Sequence, residues 1–124
     1  MAYKQGSRLE KGRASSWVER PGGAATFLFR TASFVARPDA ITECRRTVEA
    51  FVAYINENEG STRFLGSFQD HEDPSRFLLV MVFDDERAER AHRNSLAYRR
   101  FTNDIARASV AEMRSQHWSP HAGI

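Results

Sequence analysis

The sequence predicts an α+β domain of ferredoxin-like β-α-β-β-α-β order, whose antiparallel sheet pairs with that of a second copy as a dimeric α/β barrel. Three observations predict it. Segments of β-forming residues alternate with amphipathic helical segments in that order. The third strand segment, residues 76–83, is apolar on both faces. The chain has 124 residues, the length of one domain.

Residues 1–24 read as a basic arm that contains Gly and Ser. Lys4, Arg8, Lys11, Arg13 and Arg20 outnumber Glu10 and Glu19, no hydrophobic period is sustained, and Pro21-Gly22-Gly23 breaks the chain. Trp17 and Val18 are the arm's apolar anchors. The domain spans residues 25–119, and residues 120–124 are a short tail.

The first strand follows Thr26, where Phe27, Leu28, Phe29, Thr31, Phe34 and Val35 are β-formers, and it stops at Arg37-Pro38. Pro38 and Asp39 suit the first turn of a helix over residues 38–58. Ile41, Cys44, Val48, Phe51, Val52 and Ile55 recur along it at helical spacing, and Gly60 is its expected stop. The second strand, residues 62–70, puts Phe64, Gly66 and Phe68 on one face and Arg63, Leu65 and Ser67 on the other. A polar hairpin loop, His71-Glu72-Asp73-Pro74, comes next.

In the third strand Phe77, Leu79, Met81 and Phe83 alternate with Leu78, Val80 and Val82. An antiparallel strand buried on both sides needs helices over one face and another apolar layer over the other. At about 25 cal/mol per Å² of apolar surface, the second face drives two sheets together. Asp84-Asp85-Glu86 supplies the N-terminus of a short helix to about residue 93. Asn94-Ser95 opens another, with Leu96, Phe101, Ile105 and either Tyr98 or Ala97 on its apolar side. Residues 110–118 alternate Ala111, Met113, Ser115 and His117 against Val110, Glu112, Arg114 and Gln116, the pattern of a fourth strand.

Composition narrows the function. Hydrophobic residues make up 41%, with nine Phe, enough for a core. No run approaches the roughly 20 apolar residues of a membrane span, and the first ten residues are polar, so the expectation is a soluble, unexported, cytoplasmic protein. The one cysteine, Cys44, excludes an intrachain disulfide and a cysteine-built metal site and fits a reducing compartment. Of the net charge of +2, the arm carries +3, which leaves the domain near neutral and a poor nucleic-acid binder.

A phosphate loop, a nucleophile elbow and a dinucleotide fingerprint are all absent from the sequence. Pro120 separates His117 from His121, and His71-Glu72-Asp73 sits in a loop, so neither group makes a metal site. No cofactor and no metal are expected.

With that pattern, residues 27–110 resemble the antibiotic biosynthesis monooxygenase domain family, which includes quinol monooxygenases and cofactor-free anthrone oxygenases. The resemblance rests on Glu59-Gly60 entering strand two, Phe64, Phe68-Gln69-Asp70, and Asp73-Pro74-Ser75-Arg76-Phe77. It rests above all on Phe83-Asp84-Asp85-Glu86-Arg87-Ala88 followed by Ala91-His92-Arg93-Asn94-Ser95-Leu96-Ala97-Tyr98-Arg99-Arg100-Phe101. Many relatives carry Glu and Trp at the end of strand three, where this chain has Met81 and Phe83. A heme-degrading branch has Trp where His92 stands, an Asn on strand one and a His in the last helix. This chain matches none of the three.

The resemblance implies that His92 borders a pocket. An imidazole near its ordinary pKa of about 6.5 takes a proton from a phenol or hydroquinone, and the resulting anion can pass an electron to O2. Tyr98 is the expected hydrogen-bond donor to a substrate oxygen, with Asn94 positioning. Phe27, Phe29, Phe64, Phe68, Met81 and Phe83 are the expected apolar lining. Alternatives for single residues are a structural His92 at the helix junction, a packing role for Tyr98, capping by Asn94 and Ser95, and plain core for each Phe.

The expected protein is a homodimer, paired through its sheet faces, that oxidises a quinol or polycyclic aromatic with O2 without a cofactor. The alternatives are a non-catalytic ligand-binding or stress-response module of the same fold, and a cofactor-free isomerase.

Overall fold

A computed structural model describes residues 27–123. The arm over residues 1–24, with Trp17 and Val18, lies outside the described residues. The elements are β1 (Leu28–Val35), a 3-10 turn (Pro38–Ala40), α1 (Ile41–Asn58), β2 (Thr62–Gln69), β3 (Arg76–Phe83), α2 (Glu86–Arg93), α3 (Leu96–Ala108) and β4 (Arg114–Trp118). The sheet has the order β2-β3-β1-β4 with antiparallel neighbours. This is the ferredoxin-like split β-α-β arrangement that the pattern predicts.

Alternation along the strands sorts the side chains into two layers. Ala32 and Phe34 of β1, Leu65 of β2 and Phe77, Leu79, Met81 and Phe83 of β3 are buried against Val48, Phe51 and Ile55 of α1 and Phe101 and Ile105 of α3. Ring stacking locks the layer: Phe51 on Phe101 at 4.1 Å and Phe34 on its cross-strand partner Phe77 at 4.9 Å. The opposite face carries the registers Phe29–Val82–Phe64, Thr31–Val80–Gly66 and Ser33–Leu78–Phe68. On that face Phe68 is 52% exposed and Leu78 38%. A Cβ on Gly66 would come within 2.8 Å of the Phe64 ring, so the missing side chain lets that ring lie along its own strand.

Three details differ from the sequence expectation. Helix α1 does not stop through a left-handed Gly60. It ends in extended backbone at Glu59, whose N–H donates to the Ile55 carbonyl, and among the described residues only Gly123 has positive φ. Strand β4 is confined to Arg114–Trp118. Val110 N–H bonds the Val35 carbonyl, the chain bends over the next residues, and Val110 is left 58% exposed. Being an edge strand paired with β1 alone, β4 is exposed throughout, so its alternation is tied to no core. Leu96, expected on the apolar side of α3, is its first residue and 54% exposed.

The α2–α3 corner is fixed by side-chain caps. Asp85 accepts from the Ala88 N–H at 2.9 Å and Ser95 from the Tyr98 N–H at 3.1 Å, while the Ser95 hydroxyl donates to the His92 carbonyl at 2.8 Å. These bonds set where His92 and Tyr98 point. Among the described residues, no helix is long and apolar enough to cross a membrane.

Candidate functional site

His92 lies in the last turn of α2, on its buried face with Ala88 and Glu89, and is 1% exposed. Its Nδ1 stands 2.8 Å from the Glu59 Oε1, which also accepts from the Thr62 hydroxyl at 2.9 Å. A carboxylate has no proton to give, so Nδ1 is the donor, and the neutral ring keeps its lone pair on Nε2. That Nε2 is buried and has no hydrogen-bond partner among the described residues. The rings of Phe83, Tyr98 and Phe51 surround the imidazole at 5.0, 5.1 and 5.8 Å between centroids.

Burial pushes the His92 pKa down. The hydrogen bond and charge of Glu59 oppose that without overcoming it, and Arg30 adds to the lowering. The imidazole is therefore neutral at pH 7 and placed to accept a proton at Nε2.

The unfolded chain protonates this histidine at about pH 6.5 and the folded one only at lower pH, so its contribution to stability is complete above about 6.5 and is lost as pH falls towards the folded value. The urea midpoint should fall between pH 7.5 and 5.5, and His92→Gln should flatten that dependence. An unchanged slope in the variant would mean that another group carries it.

A second buried polar group adjoins the first. Arg30, facing the helices from β1, is 3% exposed, and Glu89 of α2 is 4% exposed. Arg30 Nη1 donates to Glu89 Oε2 at 2.8 Å, and Nη2 donates to the Tyr98 hydroxyl at 2.6 Å and to Ser115 Oγ at 3.4 Å. Arg93 grips the same carboxylate with two bonds of 3.1 Å, and His117 Nε2 of β4 stands 4.0 Å from it. Burial would raise the Glu89 pKa, but the Arg93 hydrogen bond and the charges of Arg30 and Arg93 outweigh it and hold it below the ordinary carboxylate value.

Of the residues expected from sequence, His92, Tyr98 and Phe83 meet around one imidazole, and Met81 is buried on the same side of the sheet. Phe29, Phe64 and Phe68 lie on the opposite face and do not join them. Phe27 is buried with the Arg63 guanidinium 4.5 Å from its ring centre. Asn94 is the exposed C-cap of α2, so its side chain is apart from His92. Arg30, Glu59, Thr62 and Glu89 were not anticipated as site residues. The available signal was position: Arg30 interrupts the inward row of β1 between Leu28 and Ala32, and Glu89 lies one turn before His92.

A groove of about 440 Å³ opens elsewhere, with Ser33, Val35, Arg76, Glu112, Arg114 and Gln116 in its lining and neither His92 nor Tyr98 among its walls. Among the described residues, no group of three or more His, Cys, Asp or Glu is placed to hold a metal ion.

The family model described as antibiotic biosynthesis monooxygenase matches residues 27–104. A solved protein from Mycobacterium tuberculosis is similar with a TM-score of 0.71 and 17% identity, over 79% of this chain and 98% of that one. One from Pseudomonas aeruginosa has a TM-score of 0.69 and 22% identity, over 78% and 96%. A solved antibiotic biosynthesis monooxygenase has a TM-score of 0.71 and 18% identity, over 77% and 99%. At these identities the structural likeness speaks for the fold. No curated protein matches the sequence.

Proposed function

We propose, from the premise that this chain belongs to the antibiotic biosynthesis monooxygenase family, that it is a cofactor-independent oxygenase of quinols or polycyclic aromatics with His92 as its base. One observation carries the reading. The Glu59 carboxylate holds Nδ1 and leaves an unpartnered Nε2 lone pair inside a ring of aromatic side chains. A carboxylate-oriented neutral imidazole in apolar surroundings is the arrangement a general base requires.

In the proposed reaction the substrate's acidic C–H or O–H bond breaks and its proton passes to Nε2. The anion gives one electron to O2, the substrate radical and superoxide combine to form a C–O bond, and the resulting peroxide anion takes the proton back from Nε2 to become a hydroperoxide. For an anthrone, loss of water from the hydroperoxide leaves a carbonyl, so one oxygen atom enters the product and the other leaves as water. Apolar walls suit this chemistry, because a desolvated anion is the better reductant. Tyr98 is the most exposed of the three rings around His92, and substrate reaches Nε2 when the rings part on that side. Asn94, at the corner surface, guides entry in this reading.

The enclosure of His92 also favours a second reading, a non-catalytic ligand-binding module in which the Glu59–His92 pair is structural. Oxygen uptake with a panel of quinols and anthrones separates the two. The oxygenase consumes one O2 per product, a binding module binds without uptake, and an isomerase converts substrate under nitrogen.

The same proposal makes the protein a homodimer through the open sheet face, with Phe29, Phe64 and Phe68 in the interface region. Leu78 and Phe68 are large apolar side chains left exposed there by one subunit. Leu78→Asp should turn a sedimenting dimer into a monomer, and a wild-type monomer at micromolar concentration would end the dimer proposal. The unit would be residues 25–119, carrying residues 1–24 as an arm. Cys44, buried and unpaired, suits the reducing cytoplasm in which we place it.

A further inference from the structure

We infer that Arg30 is a positioning residue of the active site, which acts through Tyr98 to select the ionised form of a hydroxyaromatic substrate. The inference rests on the oxygenase reading and gives that reading a substrate class.

The inward positions of β1 hold Leu28, Ala32 and Phe34 on either side of Arg30, and packing alone would be served by another apolar residue there. A buried guanidinium is retained at the expense of its hydration, and such a group calls for a reason beyond packing. Its fork reaches Glu89 through Nη1 and, through Nη2, the Tyr98 oxygen at 2.6 Å and the more distant Ser115 Oγ at 3.4 Å. Because that oxygen accepts from Arg30, the Tyr98 proton is turned elsewhere, and among the described residues no acceptor takes it. Tyr98 is half-buried, so this O–H is within reach of a ligand. A phenol whose oxygen accepts from a cation is a stronger donor than a free one. Arg30 Nε, buried and also without a partner among the described residues, is a further N–H on the same group.

The charges around the pair point the same way. Glu89 is a single negative group between Arg30 and Arg93, so the three carry a net positive charge of one. From α2 the neutral His92 adds nothing, from α3 Tyr98 is neutral, and from β4 come Ser115 and the exposed His117, which adds positive charge when protonated. The Glu59 carboxylate held on His92 Nδ1 offsets that charge for the site as a whole, so the preference comes from where the charge stands: the Arg30 cation bonded directly to the Tyr98 oxygen, with its activated O–H, favours an oxyanion there over its neutral acid. The His92 and Tyr98 rings are neighbours, packed with their centres 5.1 Å apart, so the two groups act on one side of the cage. A substrate that gives its proton to Nε2 and delocalises the negative charge onto a conjugated oxygen can meet both groups. Arg30 forms no bond in the reaction; it holds the charge that Tyr98 presents.

The test is a spectrophotometric titration of 2-hydroxyanthraquinone, whose ionised form is coloured, bound to the full chain. Wild type should bind the anion about tenfold more tightly than the neutral phenol and lower its apparent pKa accordingly. Tyr98→Phe, which keeps the ring, should abolish the preference, and Arg30→Lys, which keeps a charge but not the fork, should weaken it. A purely structural Arg30 would alter unfolding without altering the bound dye's pKa. If Arg30→Lys does not fold, Tyr98→Phe alone decides. Equal anion preference in wild type and Tyr98→Phe overturns this inference and leaves the oxygenase reading standing. Failure of wild type to bind the dye or any quinol or anthrone of the uptake panel overturns both.

Discussion

Glu89→Ala is expected to lower the unfolding free energy by about 3–5 kcal/mol, the usual cost of removing one partner from a buried ion pair. The Glu89 side chain is 5% exposed and lies 2.8 Å from an Arg30 side chain that is 3% exposed, so the variant leaves a guanidinium facing the core without its counter-ion. Truncating the other neighbour should cost far less. Arg93 is 50% exposed, and an exposed partner rehydrates when its bond is lost, so Arg93→Ala should cost under about 1 kcal/mol. Urea unfolding of the three proteins at pH 7.5 checks the ranking. The pH dependence checks the cause: with its folded pKa held down, Glu89 contributes fully above its ordinary value and loses that contribution as pH falls from there towards the lower folded value. Equal losses for the two variants would mean that Arg30 reaches solvent when Glu89 is gone.

That pair is not legible in the sequence, whereas most of the fold is. The strands and helices were legible because their burial follows period: Cys44, Val48, Phe51 and Ile55 form one stripe, and Phe77, Leu79, Met81 and Phe83 one strand face. His92 and Tyr98 were legible through the family resemblance of the segment that contains them. Glu59 and Thr62 were not: Glu59 meets His92 across 33 residues, which depends on how α1 ends, and Thr62 enters through its bond to Glu59. Arg30 and Glu89 are 59 residues apart, so even an inward position for Arg30 does not name the carboxylate that meets it. Asn94 was implied by the same resemblance, but it stands two residues after His92, and two residues of helix turn a side chain by about 200°, which takes it to the outer surface. The lining Phe residues were grouped by type, whereas strand alternation divides them between two faces that cannot share one cavity.

His92→Ala is expected to reduce oxygen consumption with the best quinol or anthrone by about 10²–10⁴-fold, the range for loss of a general base. The comparison is sound only if the variant folds, since His92 fills space among Phe51, Phe83 and Tyr98, and His92→Gln provides a bulkier control. Glu59→Gln should be milder, about tenfold, because the amide oxygen can still accept from Nδ1 while the charge is lost. The diagnostic reading is the acid limb of kcat/KM. Activity rises with pH as His92 loses its proton, and Glu59 is a group that raises the His92 pKa. Removing its charge lowers that pKa further, so the limb should move to lower pH even as the maximum falls. A structural Glu59 would lower stability and leave the limb in place. If the limb stays put in Glu59→Gln and a folded His92→Gln keeps wild-type turnover, the proton acceptor is not His92, and the aromatic cage around it is core.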